Sequence, residues 1–120
     1  MKLGKKISGG RYIARRKKKL YEMPGQRRII KIGNEKRKTK RVCGGNKKTV
    51  MYSAKLVNVK MNDKKMKKVE IKNVLETPSN RFLARQNILT KGAIVETELG
   101  KVKITNRPSQ EGIVNGILVE

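Results

Sequence analysis

The sequence contains no histidine and no tryptophan, and Cys43 is its only cysteine. Without histidine the chain lacks the usual proton carrier near neutral pH and the commonest metal ligand. A single cysteine cannot form an internal disulfide or a cysteine-rich zinc site, and it is typical of a reducing compartment. We therefore expect no metal, no cofactor and no catalytic constellation, and we predict that the protein is not an enzyme.

Long apolar runs and nucleotide-binding loops are also missing. Runs such as residues 117–119 are far too short to cross a bilayer, so we expect no membrane partner. No apolar segment follows the N-terminal lysines, which argues against a signal peptide. The spacing GxxxxGK[ST] does not occur, so neither a kinase nor another enzyme with a small-molecule substrate is supported.

Aromatic residues are scarce, with three tyrosines and one phenylalanine. Proteins that read single strands stack bases on paired aromatic side chains, and no predicted strand presents such a pair. We expect Tyr52 and Phe82 in the core. Tyr12 and Tyr21 lie in a basic segment, where stacking on a base and a merely structural role are equally open.

Positive charge dominates the composition. Lys and Arg number 32 against 9 Asp and Glu, a formal net charge of +23. Residues 1–48 hold 19 basic and 2 acidic residues, whereas residues 49–120 hold 13 basic and 7 acidic residues. Most of the apolar residues also lie in residues 49–120. A compact domain with this charge repels itself, which predicts a strongly anionic partner, above all nucleic acid. We predict a basic N-terminal RNA-binding extension, residues 1–27, and a folded body, residues 28–120.

The body is predicted to be all-β. Alternating apolar positions along residues 50–56 and 69–75 indicate strands, and the alternation changes parity after residue 56, which predicts a bulge or a corner there. A short helix is predicted over residues 79–87, with Ser79 as its N-cap. About six short strands are typical of a small barrel. The predicted fold is therefore a roughly six-stranded barrel with one short helix and an extended basic arm.

One hairpin is predicted in detail, with residues 99–100 as its loop and the glycine in the third position of a type II turn. This register places Glu98 opposite Lys101 and Glu96 opposite Lys103. The two glutamates are therefore interpreted as a neutralised surface ladder rather than as a catalytic or metal-binding pair.

The basic extension lacks an apolar helical stripe, so alone it is expected to be disordered. Cations at this density neutralise phosphates and release counterions, which favours strong, sequence-indifferent binding. The glycine pairs at residues 9–10 and 44–45 stand beside cations, and glycine lets a backbone approach a phosphate closely. For the second pair an ordinary turn is nearly as good an explanation. Arg81 and Arg85 share the outer face of the predicted helix.

Four segments carry a family resemblance: residues 8–23, 44–48, 84–100 and 106–115. They read SGGRYIARRKKKLYEM, GGNKK, ARQNILTKGAIVETELG and NRPSQEGIVN, and they resemble the archaeal and eukaryotic-type eighth protein of the small ribosomal subunit, in its short archaeal form. The resemblance implies a β-barrel body and an N-terminal extension that threads between ribosomal RNA helices. It implies small-subunit ribosomal RNA and neighbouring ribosomal proteins as partners, and a cytoplasmic location on the small subunit.

The resemblance also assigns RNA contact, by position, to the cations of residues 2–19, to the turns at residues 9–10 and 44–46, and to Lys47 and Lys48. The chain departs from the family pattern at Cys43, where a basic residue is usual, and at Pro24, where a glycine is expected. Taken with the charge pattern, the residues predicted to contact RNA are Lys2, Lys5, Lys6, Ser8, Gly9, Gly10, Arg11, Tyr12, Arg15, Arg16, Lys17, Lys18, Lys19, Arg27, Arg28, Arg37, Lys38, Lys40, Arg41, Gly44, Gly45, Asn46, Lys47, Lys48, Arg81 and Arg85.

We therefore expect a structural constituent of the small ribosomal subunit that binds and stabilises ribosomal RNA during assembly and translation. A free RNA chaperone or nucleic-acid architectural protein fits the composition equally well. A membrane-active basic domain would need an amphipathic helix with a broad apolar face, which residues 1–48 lack. A small RNA-modifying enzyme would need catalytic groups that the composition does not offer.

Overall fold

The structure is a computed structural model that describes residues 4–13, 16–61 and 65–119. Strands dominate it, as the sequence predicts, so the all-β class is confirmed. In chain order the elements are β1 (Lys31–Ile32), β2 (Lys36–Arg41), β3 (Lys47–Ala54), β4 (Leu56–Lys60), β5 (Met66–Glu76), α1 (Arg81–Arg85), β6 (Ile94–Thr97), β7 (Gly100–Ile104), α2 (Pro108–Glu111) and β8 (Asn115–Leu118).

Five of these strands form a closed barrel in the order β4-β5-β6-β7-β8. The last strand closes it: β8 pairs antiparallel with β7 and parallel with β4, where Val59 stands opposite Gly116. The other three strands form a separate sheet in the order β1-β3-β2. The predicted small barrel is therefore present. The strands outside it form a second sheet, which the sequence analysis did not distinguish from the barrel.

Of the bulge or corner predicted near residue 56, the structure has a corner, and this corner joins the two sheets. β3 ends at Ala54, the chain bends at Lys55, and β4 begins at Leu56. Ala54 and Val57 on either side of the bend are both fully buried. The change in alternation therefore marks the point where the chain leaves one sheet and enters the other, and both contribute to the same core.

The core is a single cluster of aliphatic side chains from both sheets and the connections between them. Its buried members are Ile30, Met51, Ala54, Val57, Val59, Val69, Ile71, Val74, Leu89, Ala93, Val95, Val102, Ile104 and Val114. Phe82 is not among them and is 61% exposed, so its predicted core position is wrong. The reason is that α1 has only five residues and turns Ala84 toward the core, which leaves Phe82 on the solvent side.

The β6–β7 hairpin exists, but its predicted register is wrong by one residue on each strand. Glu96 pairs with Lys101 and Thr97 pairs with Gly100, so the two loop residues are Glu98 and Leu99. The Thr97 hydroxyl closes the loop by donating to the carbonyl of Gly100 at 2.9 Å and accepting from the Leu99 amide at 3.3 Å. Gly100 supplies the positive φ of 118° as the fourth residue of the turn, not the third.

The structure has two short α-helices where the sequence predicted one. α1 is capped by Asn80, whose side-chain oxygen accepts from the Phe82 amide at 3.0 Å, so Ser79 as N-cap is wrong. α2 was not predicted. Its signals are a proline at its first position and Gly112 in the left-handed conformation, with φ of 70°, at its end.

Gly116 is closely packed where the barrel closes, and replacing it by alanine is expected to destabilise the body. A Cβ there would overlap Cγ1 of Val102 and lie 3.0 Å from the carbonyl oxygen of Lys103, so Gly116→Ala should lower the free energy of unfolding by about 1–3 kcal/mol. Urea titration followed by circular dichroism measures the change. Gly25→Ala is the matched control, because a Cβ at Gly25 meets nothing within 4 Å. Equal stability of the two variants would contradict the expectation.

Candidate nucleic-acid interface

A dense cluster of cations lies on the hairpin formed by β2 and β3, called here the basic hairpin (residues 36–48). β2 is an edge strand, and all six of its residues are exposed. Both faces of this edge therefore present positive charge to solvent. The cations of the basic hairpin are Lys36, Arg37, Lys38, Lys40, Arg41, Lys47 and Lys48.

The register of the basic hairpin sets like charges directly opposite each other. Lys40 pairs with Lys48. Arg41 pairs with Lys47 in the same ladder. Like charges in these positions destabilise a sheet. Among the described residues, the one ion pair that includes a cation of the basic hairpin joins Glu35 to Arg37 at 2.9 Å, and it leaves both like-charge pairs uncompensated. An anion bound across the two strands would relieve this repulsion.

The glycines at the hairpin tip are required by the turn itself. Gly44 and Gly45 both have a φ of 74°, and the Val42 amide donates to the carbonyl of Asn46 at 2.8 Å. A side chain at either glycine would be strained in this conformation. The exposed Cys43 stands at the same tip. The ordinary-turn explanation therefore accounts for the glycines, and their predicted RNA contact stays a prediction.

A shallow groove runs beside the basic hairpin. Its walls are Lys36, Arg37 and Lys38, with Tyr52 of β3 at its side. Tyr52 is half-buried rather than part of the core cluster. The alternation of β3 suggested a core position because Tyr52 falls in phase with apolar neighbours, and only the pairing of β2 shows that cations line the space beside its ring.

The described N-terminal residues form a small turn. Lys5 bridges to Arg11, the Lys6 amide donates to the carbonyl of Gly10 at 2.7 Å, and Gly9 adopts a φ of 81°. Every described residue from 4 to 27 is exposed. This includes Ile7, whose side chain contacts nothing that would bury it. The Lys6 ammonium lies 5.7 Å from the centroid of the Tyr12 ring, within cation–π range.

A second local structure follows at residues 16–22. The Arg16 guanidinium donates to both carboxylate oxygens of Glu22, at 2.8 and 2.5 Å. The amide of Lys19 donates to the same carboxylate at 2.9 Å. The Arg16 contact, followed by the Lys19 amide, holds the pKa of Glu22 below its usual value. This ion pair fixes one 3₁₀ turn, Leu20–Glu22, within an otherwise extended basic segment.

The remaining predicted contact residues occupy separate places. Arg81 and Arg85 stand at the two ends of α1, both exposed. Arg27 is exposed and Arg28 is half-buried where the chain enters the body. Lys2 and Arg15 lie outside the described residues. The structure thus gathers the cations of residues 36–48 onto one surface and those of residues 5–11 onto one turn.

Two further cations were not predicted as contact residues from the sequence. Lys91 and Arg107 line one recess with Arg28, although these three residues are far apart in the chain. No local spacing signals such a grouping, because it arises from the way the barrel brings its connections together.

Across residues 4–13, 16–61 and 65–119, no helix is long and apolar enough to cross a bilayer. Within the same ranges, no three side chains of His, Cys, Asp or Glu come together in a group that could hold a metal ion.

Comparison with known proteins identifies the family. The sequence model of ribosomal protein S8e matches residues 2–119. The small ribosomal subunit protein eS8 of Nanoarchaeum equitans is 47% identical over 115 residues, which are 95% of this chain and 91% of the relative. Those of Methanocorpusculum labreanum and Staphylothermus marinus are 43% and 46% identical over 119 and 118 residues, 97% of this chain in each case and 94% and 92% of the relatives. These matches confirm both the resemblance drawn from the residues and the prediction of a structural, non-enzymatic protein: the chain belongs to the S8e family of ribosomal proteins.

Proposed function

We propose that the chain is a structural constituent of the small ribosomal subunit in the cytoplasm, and that it binds and stabilises ribosomal RNA during assembly and translation. Its partners are then small-subunit ribosomal RNA and neighbouring ribosomal proteins. The observation that carries the proposal is the basic hairpin, where Lys40 opposes Lys48 and Arg41 opposes Lys47. A sheet that holds like charges in register is suited to an anionic partner that spans both strands.

The extension supports the same proposal. Residues 1–27 carry ten of the basic residues and one acidic residue, Glu22, which is already paired with Arg16. Among its described apolar side chains, Ile7, Ile13 and Leu20 are almost fully exposed. In this proposal the extension orders against RNA, where counterion release offsets its loss of entropy and the apolar side chains become covered.

Gradient sedimentation of native cell lysate tests the proposal. The tagged chain is expected to travel with the small subunit at one copy per particle, and to remain there after a high-salt wash. A tag on the C-terminal side leaves the basic extension free. Appearance on all RNA without preference, with loss in the wash, would contradict the proposal and favour a free RNA chaperone.

A further inference from the structure

One stretch of the basic extension has no cation to offer a phosphate. Seven consecutive residues, 20–26, separate Lys19 from Arg27 without a lysine or arginine, whereas no other such gap in the extension exceeds four residues. The stretch reads LYEMPGQ, and it combines apolar side chains with the one acidic residue of the extension. Binding of RNA phosphates by the neighbouring cations therefore leaves this stretch without a role.

The first part of the stretch is an ordered turn, called here the apolar turn (residues 20–23). The Glu22 amide donates to the carbonyl of Lys19 at 2.9 Å, and the Met23 amide donates to the carbonyl of Leu20 at 3.2 Å. The bidentate contact from Arg16 and the Lys19 amide hold the Glu22 carboxylate against the same turn. A turn that is ordered before binding loses less entropy when a partner covers it.

The apolar turn presents its large side chains to solvent. Leu20 is 86% exposed, Tyr21 78% and Met23 52%. The Lys19 ammonium lies 5.9 Å from the centroid of the Tyr21 ring, within cation–π range, so it already covers one side of the ring. Three neighbouring apolar side chains that project from one ordered turn form a compact surface that gains free energy when it is taken out of water.

The chemistry of the apolar turn favours a protein partner over RNA. The Glu22 carboxylate repels phosphates, and its pairing with Arg16 engages a cation that could otherwise contact one. A base stacked on Tyr21 would leave Leu20 and Met23 uncovered. The centres of protein–protein interfaces, in contrast, are depleted of lysine and enriched in tyrosine and methionine.

We infer that the apolar turn docks into an apolar pocket on a neighbouring protein of the small subunit, with Leu20, Tyr21 and Met23 as its anchors and the Arg16–Glu22 ion pair holding its shape. The identity of this partner as a subunit protein rests on the proposed function. The cations on either side of the turn then bind RNA, so that one extension contacts RNA and protein alternately.

Paired variants of the full-length chain separate the two kinds of contact. Affinity is measured for protein-free small-subunit ribosomal RNA and for small-subunit particles assembled without the chain. Leu20→Ser with Met23→Ser should lower the ratio of particle affinity to RNA affinity about tenfold, because two interface anchors are lost while every cation remains. Ile7→Ser with Ile13→Ser is the matched control, since it removes two exposed apolar side chains from among the cations, and it should leave the ratio unchanged. An unchanged ratio in the first variant, or an equal fall in both, would overturn the inference.

Glu22→Gln tests the ordering of the turn. The variant frees Arg16 and removes a negative charge, so affinity for protein-free RNA should rise slightly, whereas the loosened turn should lower the ratio about two- to fivefold. If both affinities rise by the same factor, the role of the ion pair in holding a protein-binding turn is overturned.

Photo-cross-linking identifies the class of partner. In separate full-length chains, Tyr21 or Tyr12 is replaced by p-benzoylphenylalanine, and assembled small subunits are purified and irradiated. Both tyrosines are exposed and lie beside a lysine, but Tyr12 follows the turn of cations at residues 5–11. Position 21 is expected to cross-link to another protein of the subunit, and position 12 to ribosomal RNA.

The other cross-linking outcomes separate failure of the inference from failure of the proposed function. A cross-link from position 21 to RNA, or to the body of its own chain, would overturn the docking of the apolar turn while the proposed function stands. If the wild-type chain does not enter small subunits at all, the proposed function fails, and the docking on a subunit protein fails with it.

Discussion

Deletion of residues 1–24 is expected to flatten the slope of log K against log salt, for binding to small-subunit ribosomal RNA, by about five to seven units. The deleted segment holds nine Lys and Arg residues and one acidic residue. About six to eight of these cations are expected to contact phosphates, and each contact contributes roughly 0.9 to the slope. Filter binding over a series of salt concentrations measures the slope.

The same deletion should leave the body folded. All described residues up to residue 24 are exposed, and none belongs to the core cluster. The melting temperature of the truncated chain is therefore expected to match that of the full chain. A full-length variant with glutamine at the nine basic positions is the control for chain length and should reproduce the flatter slope. If the deletion leaves the slope unchanged, the body alone carries the binding and the role proposed for the extension is wrong.

Strand positions could be predicted because apolar alternation is a local signal. Val57, Val59, Val69 and Ile71 alternate with polar neighbours and are all buried, as the pattern requires. An irregularity near residue 56 could also be predicted, since a change of parity in a strand indicates a bulge or a corner. Family segments then added what composition alone left open, namely the choice between a ribosomal protein and a free chaperone.

The pairing of strands and their register were harder to predict from the sequence. The barrel closes through parallel pairing of β4 with β8, where Asn58 stands opposite Asn115 and their side chains share a 3.0 Å hydrogen bond. Nothing in either segment alone signals this contact across 57 residues. In the β6–β7 hairpin the predicted faces were right but the register was not, because the Thr97 hydroxyl decides which two residues form the loop.

The candidate interface, too, could be predicted only in part from the sequence. The density of cations in residues 36–48 was plain from the sequence, whereas their opposition as Lys40–Lys48 and Arg41–Lys47 pairs depends on the register of β2 on β3. The recess lined by Arg28, Lys91 and Arg107 depends on segments far apart in the chain that only the folded barrel brings together. Local charge could therefore be predicted, and the surfaces that concentrate it could not.

Charge reversal in the basic hairpin is expected to raise stability and lower affinity at the same time. Lys47→Glu with Lys48→Glu would place carboxylates opposite Arg41 and Lys40, turning two repulsive pairs into attractive ones. Each cross-strand pair of opposite charge contributes about 0.2–1 kcal/mol, so the free energy of unfolding should rise by roughly 0.4–2 kcal/mol. The new carboxylates also occupy the cations opposite them, so up to four phosphate contacts are lost and the salt slope should flatten by about three to four units.

Lys67→Glu with Lys68→Glu is the matched control, since it reverses two adjacent, exposed lysines on β5 that stand opposite the uncharged Val59 and Asn58. It changes the net charge by the same amount but relieves no repulsive pair, so it should leave stability nearly unchanged and flatten the slope much less. Because the hairpin variant is expected to be the more stable protein, weaker binding cannot be ascribed to unfolding. Equal slopes for the two variants would mean that RNA senses only total charge. A less stable hairpin variant would mean that the opposed cations do not repel in the free chain, and the hairpin would then no longer support the proposed function.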